Sequence, residues 1–406
     1  MVYVTGDMIR IGINASFVRK PGSGIGQVTS NFLTELAVST ALFQTAQSDE
    51  VEFVLYLEED LPAGIKLPAN FRTVVFLPFW KRDDLVRKIL WEKISLPRRA
   101  AADGCDVFLS LYQCPTVMPA EIFHIMLVHD IVPKLFPHYL NNARKRLYWQ
   151  WTEKAIGAAQ KILAVSSRTE KDLVQHLGIA AKKIAVNYID CDALYKKPIS
   201  LIKIQKVLQK YHLKSGYILA GGGMEVRKNV EGVIRAYAKL LDSNRRAHFV
   251  ADIPQLIIYG KLLPQLAPLA LDAEKLVKEL NLTQHVRLLD MTPQADMPAL
   301  FSSALFFAYP SRYEGFGLPV LEAMAVGCPV ITAKTSSLPE VGLDSVLYCH
   351  SDDTHDLAMV MRTMLTNPAL RKTLRQRGQE RAQKFSWKKF TGKIAHIIME
   401  HKQIKA

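Results

Sequence analysis

Short apolar runs rich in β-branched residues recur along the chain, each separated from the next by a stretch with helical periodicity, and the rhythm runs twice. The first series is "IRIGINA" (9–15), "VEFVLYL" (51–57), "TVVFLP" (73–78), "DVFLSL" (106–111), "FHIMLVHD" (123–130), "KILAVS" (161–166) and "KIAVNY" (183–188). The second begins at "GYILAGGG" (216–223) and continues through "QLIIYGK", "VRLLD", "ALFFAYP", "CPVITA" and "SVLYC". Runs this short and continuous suit a parallel sheet covered by helices on both faces, where no strand face needs polar residues. Helical segments such as "GQVTSNFLTELAVSTAL" and "ARKRLYWQWTEKAIGAAQ" lie between them. The alternation predicts an α/β chain of two doubly wound domains. Their join falls near 190–215, where "CDALYKKPISL" breaks the pattern, giving domains 1–195 and 196–385 and a final segment 386–406. Ligands of open parallel sheets bind beyond the carboxyl ends of the strands. Two such domains facing across a cleft would therefore collect their glycine-rich turns there.

A chain of 406 residues is too long for one core and suits two. It holds no apolar run of the roughly 18–20 residues that span a bilayer, and its start, "MVYVTGDMIRIGINASFV", does not read as a secretory signal. Five scattered cysteines without a Cys-x-x-Cys suggest neither zinc nor a disulfide framework and fit a reducing, cytoplasmic setting. The net charge of +14 is uneven: residues 1–196 carry 23 basic and 20 acidic groups, the remainder 29 and 18. Much of the excess lies in "RKTLRQRGQERAQKFSWKKFTGK". Such a run is either a solvated helix face or a surface for nucleic acid, an anionic membrane or a phosphorylated ligand.

Four segments follow strands and carry chemistry. "GSGIGQV" (22–28) opens a helix but lacks the full G-x-G-x-x-G, so it reads as a loop around Gly24 and Gly26 whose backbone approaches a ligand, or as a plain loop. "MLVHDIVPKLFP" puts His129 at a strand end, where it is either structural or placed to donate to a hydroxyl or move a proton. "GGGMEVRKNVEGVIRAY" (221–237) follows three glycines, Gly222 and Gly223 among them, with Arg227, Lys228 and Asn229 at a helix start. Backbone N–H groups and two cations there favour a polyphosphate, although the P-loop pattern is absent. In "SRYEGFGLPVLEAMAVGCPVI" (311–331) a helix with Pro319 at its first position follows Gly317 and Leu318. One carboxylate, Glu314, lies before this helix and another, Glu322, within it. Sugar hydroxyls can donate to such carboxylates, and phosphate oxygens can accept from the N–H groups between them.

On these residues the chain resembles the retaining GT-B glycosyltransferases of glycosyltransferase family four, whose E-x7-E signature matches Glu314 and Glu322. The likeness extends through "GSGIGQVTSNFLTEL", "HDIVPKLFP", "KILAVSSRTEKDLVQHLGI", "EVRKN", "SSLPEV" and "FSWKKF". It implies that Glu314 contacts the donor sugar's hydroxyls, and that the Phe316, Gly317 and Leu318 backbone lines sugar and diphosphate. Glu322 would hold the ribose hydroxyls and Lys228 the diphosphate. His129 would sit by the transferring sugar, Gly24–Gly26 would approach the diphosphate from the first domain, and "DMTPQ" (290–294), with Met291, would border the base. Many members carry an additional Arg about where Gly222 or Gly223 stands here, so the resemblance leaves Arg227 or Arg19 to partner Lys228. It also implies that the last helix crosses back onto the first domain.

The implied activity is retaining transfer of a hexose from a nucleotide sugar, GDP-mannose first and a UDP-hexose second, with no metal and no cofactor beyond that substrate. Mannosyltransferases of bacterial surface-polysaccharide assembly are the nearest kind, so the expected acceptor is a glycan or lipid-linked glycan, met from the cytoplasm by a protein peripheral at the inner face of the cell membrane. "PFWKRDDLVRKILWEKISLPRR" (78–99), with seven basic residues among Trp, Leu and Ile, reads as a membrane-surface helix or as one packed on the first sheet. A nucleotide-sugar epimerase shares the architecture. A nucleic-acid-binding protein would need aromatic-basic platforms and no glutamate pair, so no nucleic acid is expected as a partner.

Overall fold

In the computed structural model, residues 8–43, 51–62, 64–76 and 84–405 are described below. All thirteen apolar runs are strands: β1 (Ile9–Asn14), β2 (Val51–Leu57), β3 (Phe71–Val75), β4 (Val107–Ser110), β5 (Phe123–Val128), β6 (Lys161–Ala164), β7 (Ile184–Val186), β8 (Tyr217–Gly221), β9 (Leu256–Tyr259), β10 (Val286–Leu289), β11 (Ala304–Tyr309), β12 (Val330–Ala333) and β13 (Leu347–Cys349). The first seven form one sheet in the order β3-β2-β1-β4-β5-β6-β7, and the other six form a second in the order β10-β9-β8-β11-β12-β13. Every named pairing is parallel, with register running from Ile9 opposite Val51 at β1/β2 to Ala308 opposite Ala220 at β11/β8. Within each sheet the chain moves outward from a central strand, then returns to that strand's other side and moves outward again. The crevice beside the central strand, at β1/β4 in one sheet and β8/β11 in the other, is the topological switch point at which ligands of doubly wound sheets bind.

The chain divides into two compact units, Met1–Asp190 with Ser386–Ala406, and Cys191–Phe385. In the first unit, Met126, Val128, Ile162 and Ala164 pack with Trp149, Ile156 and Leu173, while Val54, Tyr56 and Phe108 pack with Trp91 and Leu96. Trp91 and Leu96 lie in the segment 78–99. Its residues 78–83 fall outside the described set, and the rest forms Asp84–Ile89, a π-helical turn Leu90–Ser95 and Leu96–Ala102. The packed alternative therefore holds for Trp91, which stacks on Phe76 with centroids 4.6 Å apart. Leu90 and Ile94 remain exposed. The last helix, Trp387–Lys405, belongs to the first unit. Phe390 meets Phe32 edge-on, and Asn187 Nδ2 donates to the Phe390 carbonyl at 3.1 Å. In the second unit, helix Val230–Ala247 covers β8 and β9 through Val233, Ile234, Tyr237 and Leu240. No helix among the described residues is long and apolar enough to cross a membrane.

Candidate functional site

The glycines after β8 are required by the backbone path. Gly221, Gly222 and Gly223 all have positive φ, at 129°, 97° and 133°, where L side chains are strained. A Cβ on Gly221 would lie 2.0 Å from the Tyr259 carbonyl oxygen, and one on Gly223 would lie 2.9 Å from Lys228 Nζ. This loop leads into a 3-10 turn, Val226–Lys228, rather than directly into a helix. Arg227 and Lys228 lie in that turn, and the helix begins at Val230 with Asn229 as its cap. Asn229 is buried in the left-handed conformation. Its side chain accepts from Gly232 N and donates to the carbonyls of Pro310 (3.2 Å) and Ser351 (2.5 Å).

The loop after β11 is laced to that turn. Ser311 Oγ and the Arg312 N–H both donate to the Arg227 carbonyl, at 3.1 and 2.7 Å. The Glu314 N–H donates to Ser336 Oγ, and the Ser336 and Ser337 hydroxyls donate to the Glu314 carbonyl at 2.5 and 2.9 Å. Ser337 Oγ also donates to the Phe316 carbonyl. Gly317, at φ 105°, then caps helix Leu318–Ala325, so Leu318 rather than Pro319 is its first residue and Pro319 its second. A one-residue difference at a helix end follows from where the first helical dihedrals fall. The start of this helix lies beside Gly222, on which a Cβ would lie 3.7 Å from Pro319 Cγ.

The two glutamates have different surroundings. Glu314 Oε1 accepts from Tyr309 Oη (2.6 Å) and Ser311 Oγ (2.9 Å) and pairs with Arg227 Nη1 at 2.8 Å. Burial pushes its pKa up, but the Arg227 and Lys228 charges and the two hydroxyls outweigh that, and the carboxyl lies below its ordinary range. Oε2 accepts no hydrogen bond among the described residues. Glu322 lies in a helix whose other side chains Val320, Leu321, Ala323 and Met324 are buried. Burial raises its pKa to about 7, against hydrogen bonds from Gln294 and Tyr195. Lys228 favours the charged form of both carboxyls, so its ammonium lies within electrostatic reach of each. Its Nζ donates to the Gly222 carbonyl and lies 3.5 Å from Glu225 Oε2. Arg227 Nη1 also donates to the Tyr313 carbonyl at 2.9 Å, so this guanidinium holds the Glu314 loop.

The second unit thus gathers Gly222, Gly223, Arg227, Lys228, Glu314, Phe316, Gly317, Leu318 and Glu322 around its β8/β11 switch point. Met291 is exposed at φ 50° beyond β10, three residues before Gln294. Tyr195 and Tyr309 went unnoticed in the sequence. Tyr309 is one of many strand aromatics, and nothing local couples Tyr195 to Glu322, 127 residues later.

Gly24, Gly26 and His129 belong to the first unit. Gly24–Gly26 is the first turn of helix Gly24–Val38 rather than a loop, because Ser23 Oγ caps it by accepting from Gly26 N at 3.1 Å. A Cβ on Gly26 would lie 1.9 Å from the Lys20 carbonyl oxygen, whereas Gly24 faces open space. His129 Nε2 lies 2.9 Å from the Leu111 carbonyl, an obligate acceptor, so Nε2 carries the proton. Burial lowers the imidazole pKa, against that carbonyl and Asp130. The ring is then neutral, and its Nδ1 is an acceptor for a ligand hydroxyl rather than a donor. Arg19 pairs with Glu58 at 3.2 Å, and Arg87 shares the same oxygen at 2.9 Å.

Two family models match the chain: Glycosyltransferase Family 4 over residues 37–189 and Glycosyl transferases group 1 over residues 203–381. The chain is a two-domain glycosyltransferase. It is 29% identical over 384 residues to the O-antigen chain mannosyltransferase B of Escherichia coli, covering 92% of this chain and 95% of that one. WaaG, a glycosyltransferase involved in lipopolysaccharide biosynthesis, superposes with a TM-score of 0.71 at 17% identity over 96% of this chain and 99% of its own. Anabaena HepE in complex with UDP-glucose does so at 0.70 and 18%, over 97% and 100%. The two Rossmann-like sheets of this glycosyltransferase are those of the GT-B class.

Proposed function

We propose that this glycosyltransferase moves mannose from GDP-mannose, with retention of anomeric configuration, to a growing or lipid-linked glycan of a surface polysaccharide. The observation that carries the reading is the second unit's switch point, where Glu314, paired with Arg227, and Glu322 stand before and within the helix whose start meets Gly222, and the Gly222 carbonyl receives Lys228 Nζ. The likeness to the O-antigen mannosyltransferase supports mannose and a polysaccharide acceptor. Lys228 and the Leu318 N–H at the start of helix Leu318–Ala325 stabilise the charge developing on the departing diphosphate. Glu314, kept ionised by Arg227 and with Oε2 uncommitted, accepts from the sugar's hydroxyls. Glu322 accepts from the ribose, beside a base bordered by residues 290–294. The diphosphate lies between the two carboxylates and displaces Glu225 from Lys228. His129 accepts from a hydroxyl of the transferring sugar. The departing phosphate oxygen takes the acceptor proton on the same face, so Glu314 is not a nucleophile. A lipid-linked acceptor brings the protein to the inner face of the cell membrane.

A UDP-hexose is the second reading, favoured by the neighbouring fold that holds UDP-glucose. Thermal melts across GDP-, UDP- and ADP-sugars separate them, because a ligand that binds only the folded state raises the melting temperature. Stabilisation by GDP-mannose alone is expected, with Glu322→Ala losing it. A screen in which no nucleotide sugar stabilises the protein and Glu322→Ala behaves as wild type overturns the donor site. Release of free nucleotide only in the presence of an acceptor would exclude a nucleotide-sugar epimerase.

A further inference from the structure

Tyr259 is the last residue of β9 and stands opposite Gly221 in the β8/β9 register. Its ring is packed, meeting Phe301 edge-on with centroids 6.0 Å apart and lying tilted against Phe307 at 6.2 Å. The residue is 8% exposed. Buried phenols usually find a hydrogen-bond partner. Others in this unit do: Tyr309 donates to Glu314 at 2.6 Å, Tyr217 to the Leu300 carbonyl at 2.7 Å and Tyr237 to the Pro254 carbonyl at 2.9 Å. Tyr259 Oη forms no hydrogen bond among the described residues, and it is not sealed away, so the little exposure that Tyr259 keeps includes its hydroxyl.

Gly222 shows which way that hydroxyl faces. A Cβ built on Gly222 would have Tyr309 Cε2 at 3.3 Å, Tyr259 Oη at 3.5 Å and Pro319 Cγ at 3.7 Å. The uncommitted hydroxyl therefore borders the same gap as the start of helix Leu318–Ala325 and the Gly222 loop, whose carbonyl receives Lys228 Nζ. Glycine at 222 keeps the gap open. Burial, and then the Glu322 charge, hold the phenol's pKa well above its ordinary value, so at neutral pH the group is a protonated donor. The nearby Lys228 ammonium also only donates and cannot satisfy it. The acceptor that suits both is an anionic oxygen.

We propose that Tyr259 is a further diphosphate-binding residue, its hydroxyl donating to a phosphoryl oxygen of the nucleotide sugar. The proposal rests on the reading that the diphosphate lies over the start of helix Leu318–Ala325. Lys228 supplies the charge there, and Tyr259 supplies a neutral donor from the floor of the gap. Because Phe301 and Phe307 hold the ring, that donor is in place before the ligand arrives.

Tyr259→Phe removes one oxygen and leaves the packed ring. No protein hydrogen bond is lost, so without ligand it should melt no lower than wild type. Titration calorimetry on the full chain, with GDP, UDP, guanosine, uridine and inorganic pyrophosphate, tests the role. For whichever nucleoside diphosphate binds, the Kd should rise about tenfold in Tyr259→Phe, as for loss of a hydrogen bond to a charged group. The pyrophosphate Kd should rise with it, while the affinity for the matching nucleoside stays unchanged. Lys228→Ala is the control for the subsite. A loss in Lys228→Ala with none in Tyr259→Phe overturns the proposal and leaves the donor-site reading standing. An equal loss for nucleoside and nucleoside diphosphate puts the hydroxyl on the ribose and overturns the phosphoryl assignment. No loss in either variant overturns the donor-site reading and this proposal with it. Should Tyr259→Phe melt lower, the ratio of the two affinities still decides, since loosened packing weakens both alike.

Discussion

Glu322 ties function to pH at the scale of one side chain. Its folded pKa of about 7 lies above the ordinary 4.5, so the stability it contributes is full below about pH 4.5 and is lost as pH rises through 7. Glu322→Gln should remove about 3 kcal/mol of pH-dependent stability across that window, measured by urea denaturation at each pH. A ligand whose hydroxyls donate to Glu322 favours the carboxylate. Donor affinity should therefore rise severalfold between pH 6 and 8 in the wild type and stay flat in Glu322→Gln, as titration calorimetry would report. Glu314 poses the converse case, since its charge is kept by Arg227 at 2.8 Å. Arg227→Ala leaves a buried carboxylate unpaired and should cost about 3 kcal/mol. Arg227→Ala/Glu314→Gln should recover part of that loss, and a double-mutant cycle without coupling would remove the pair from this account.

Two glycines in one helical turn have opposite demands at the scale of elements. Gly26→Ala drives a Cβ into the Lys20 carbonyl and should lower the melting temperature by several degrees. Gly24→Ala faces open space and should leave stability unchanged or raised by about 0.5 kcal/mol. A KM for donor that rises in Gly24→Ala, with stability intact, would mark a backbone the ligand approaches. The sequence showed both as glycines at the start of a helical pattern and could not tell them apart, because the carbonyl that forbids a side chain at 26 comes from a preceding turn. It did reveal every strand among the described residues, since a buried parallel strand must be a short continuous apolar run. It read the cations after β8 as a helix start, missing the 3-10 turn, whose path depends on Asn229 reaching Pro310 and Ser351 far along the chain.

At the scale of the molecule, the two units share one order over six strands, to which the first adds β7 at its edge, and the last helix belongs to the unit that begins the chain. Phe390→Ala removes a ring that is buried against Phe32 and should destabilise the first unit by about 3 kcal/mol. Hydrogen exchange should then speed up in β1 and helix Gly24–Val38 and remain unchanged in β8 and β11. By itself the sequence determined the class of fold, the two sheets and the segments at their switch points, because apolar periodicity and glycine placement are local and every parallel sheet imposes them. It also marked Glu314, Glu322 and Lys228 as polar groups set among glycines and apolar runs. Only the tertiary structure decided their partners: Arg227 for Glu314, Gln294 and Tyr195 for Glu322, the Leu111 carbonyl for His129. Charge and proton position depend on distance and burial, and these are set by residues brought together from separate strands.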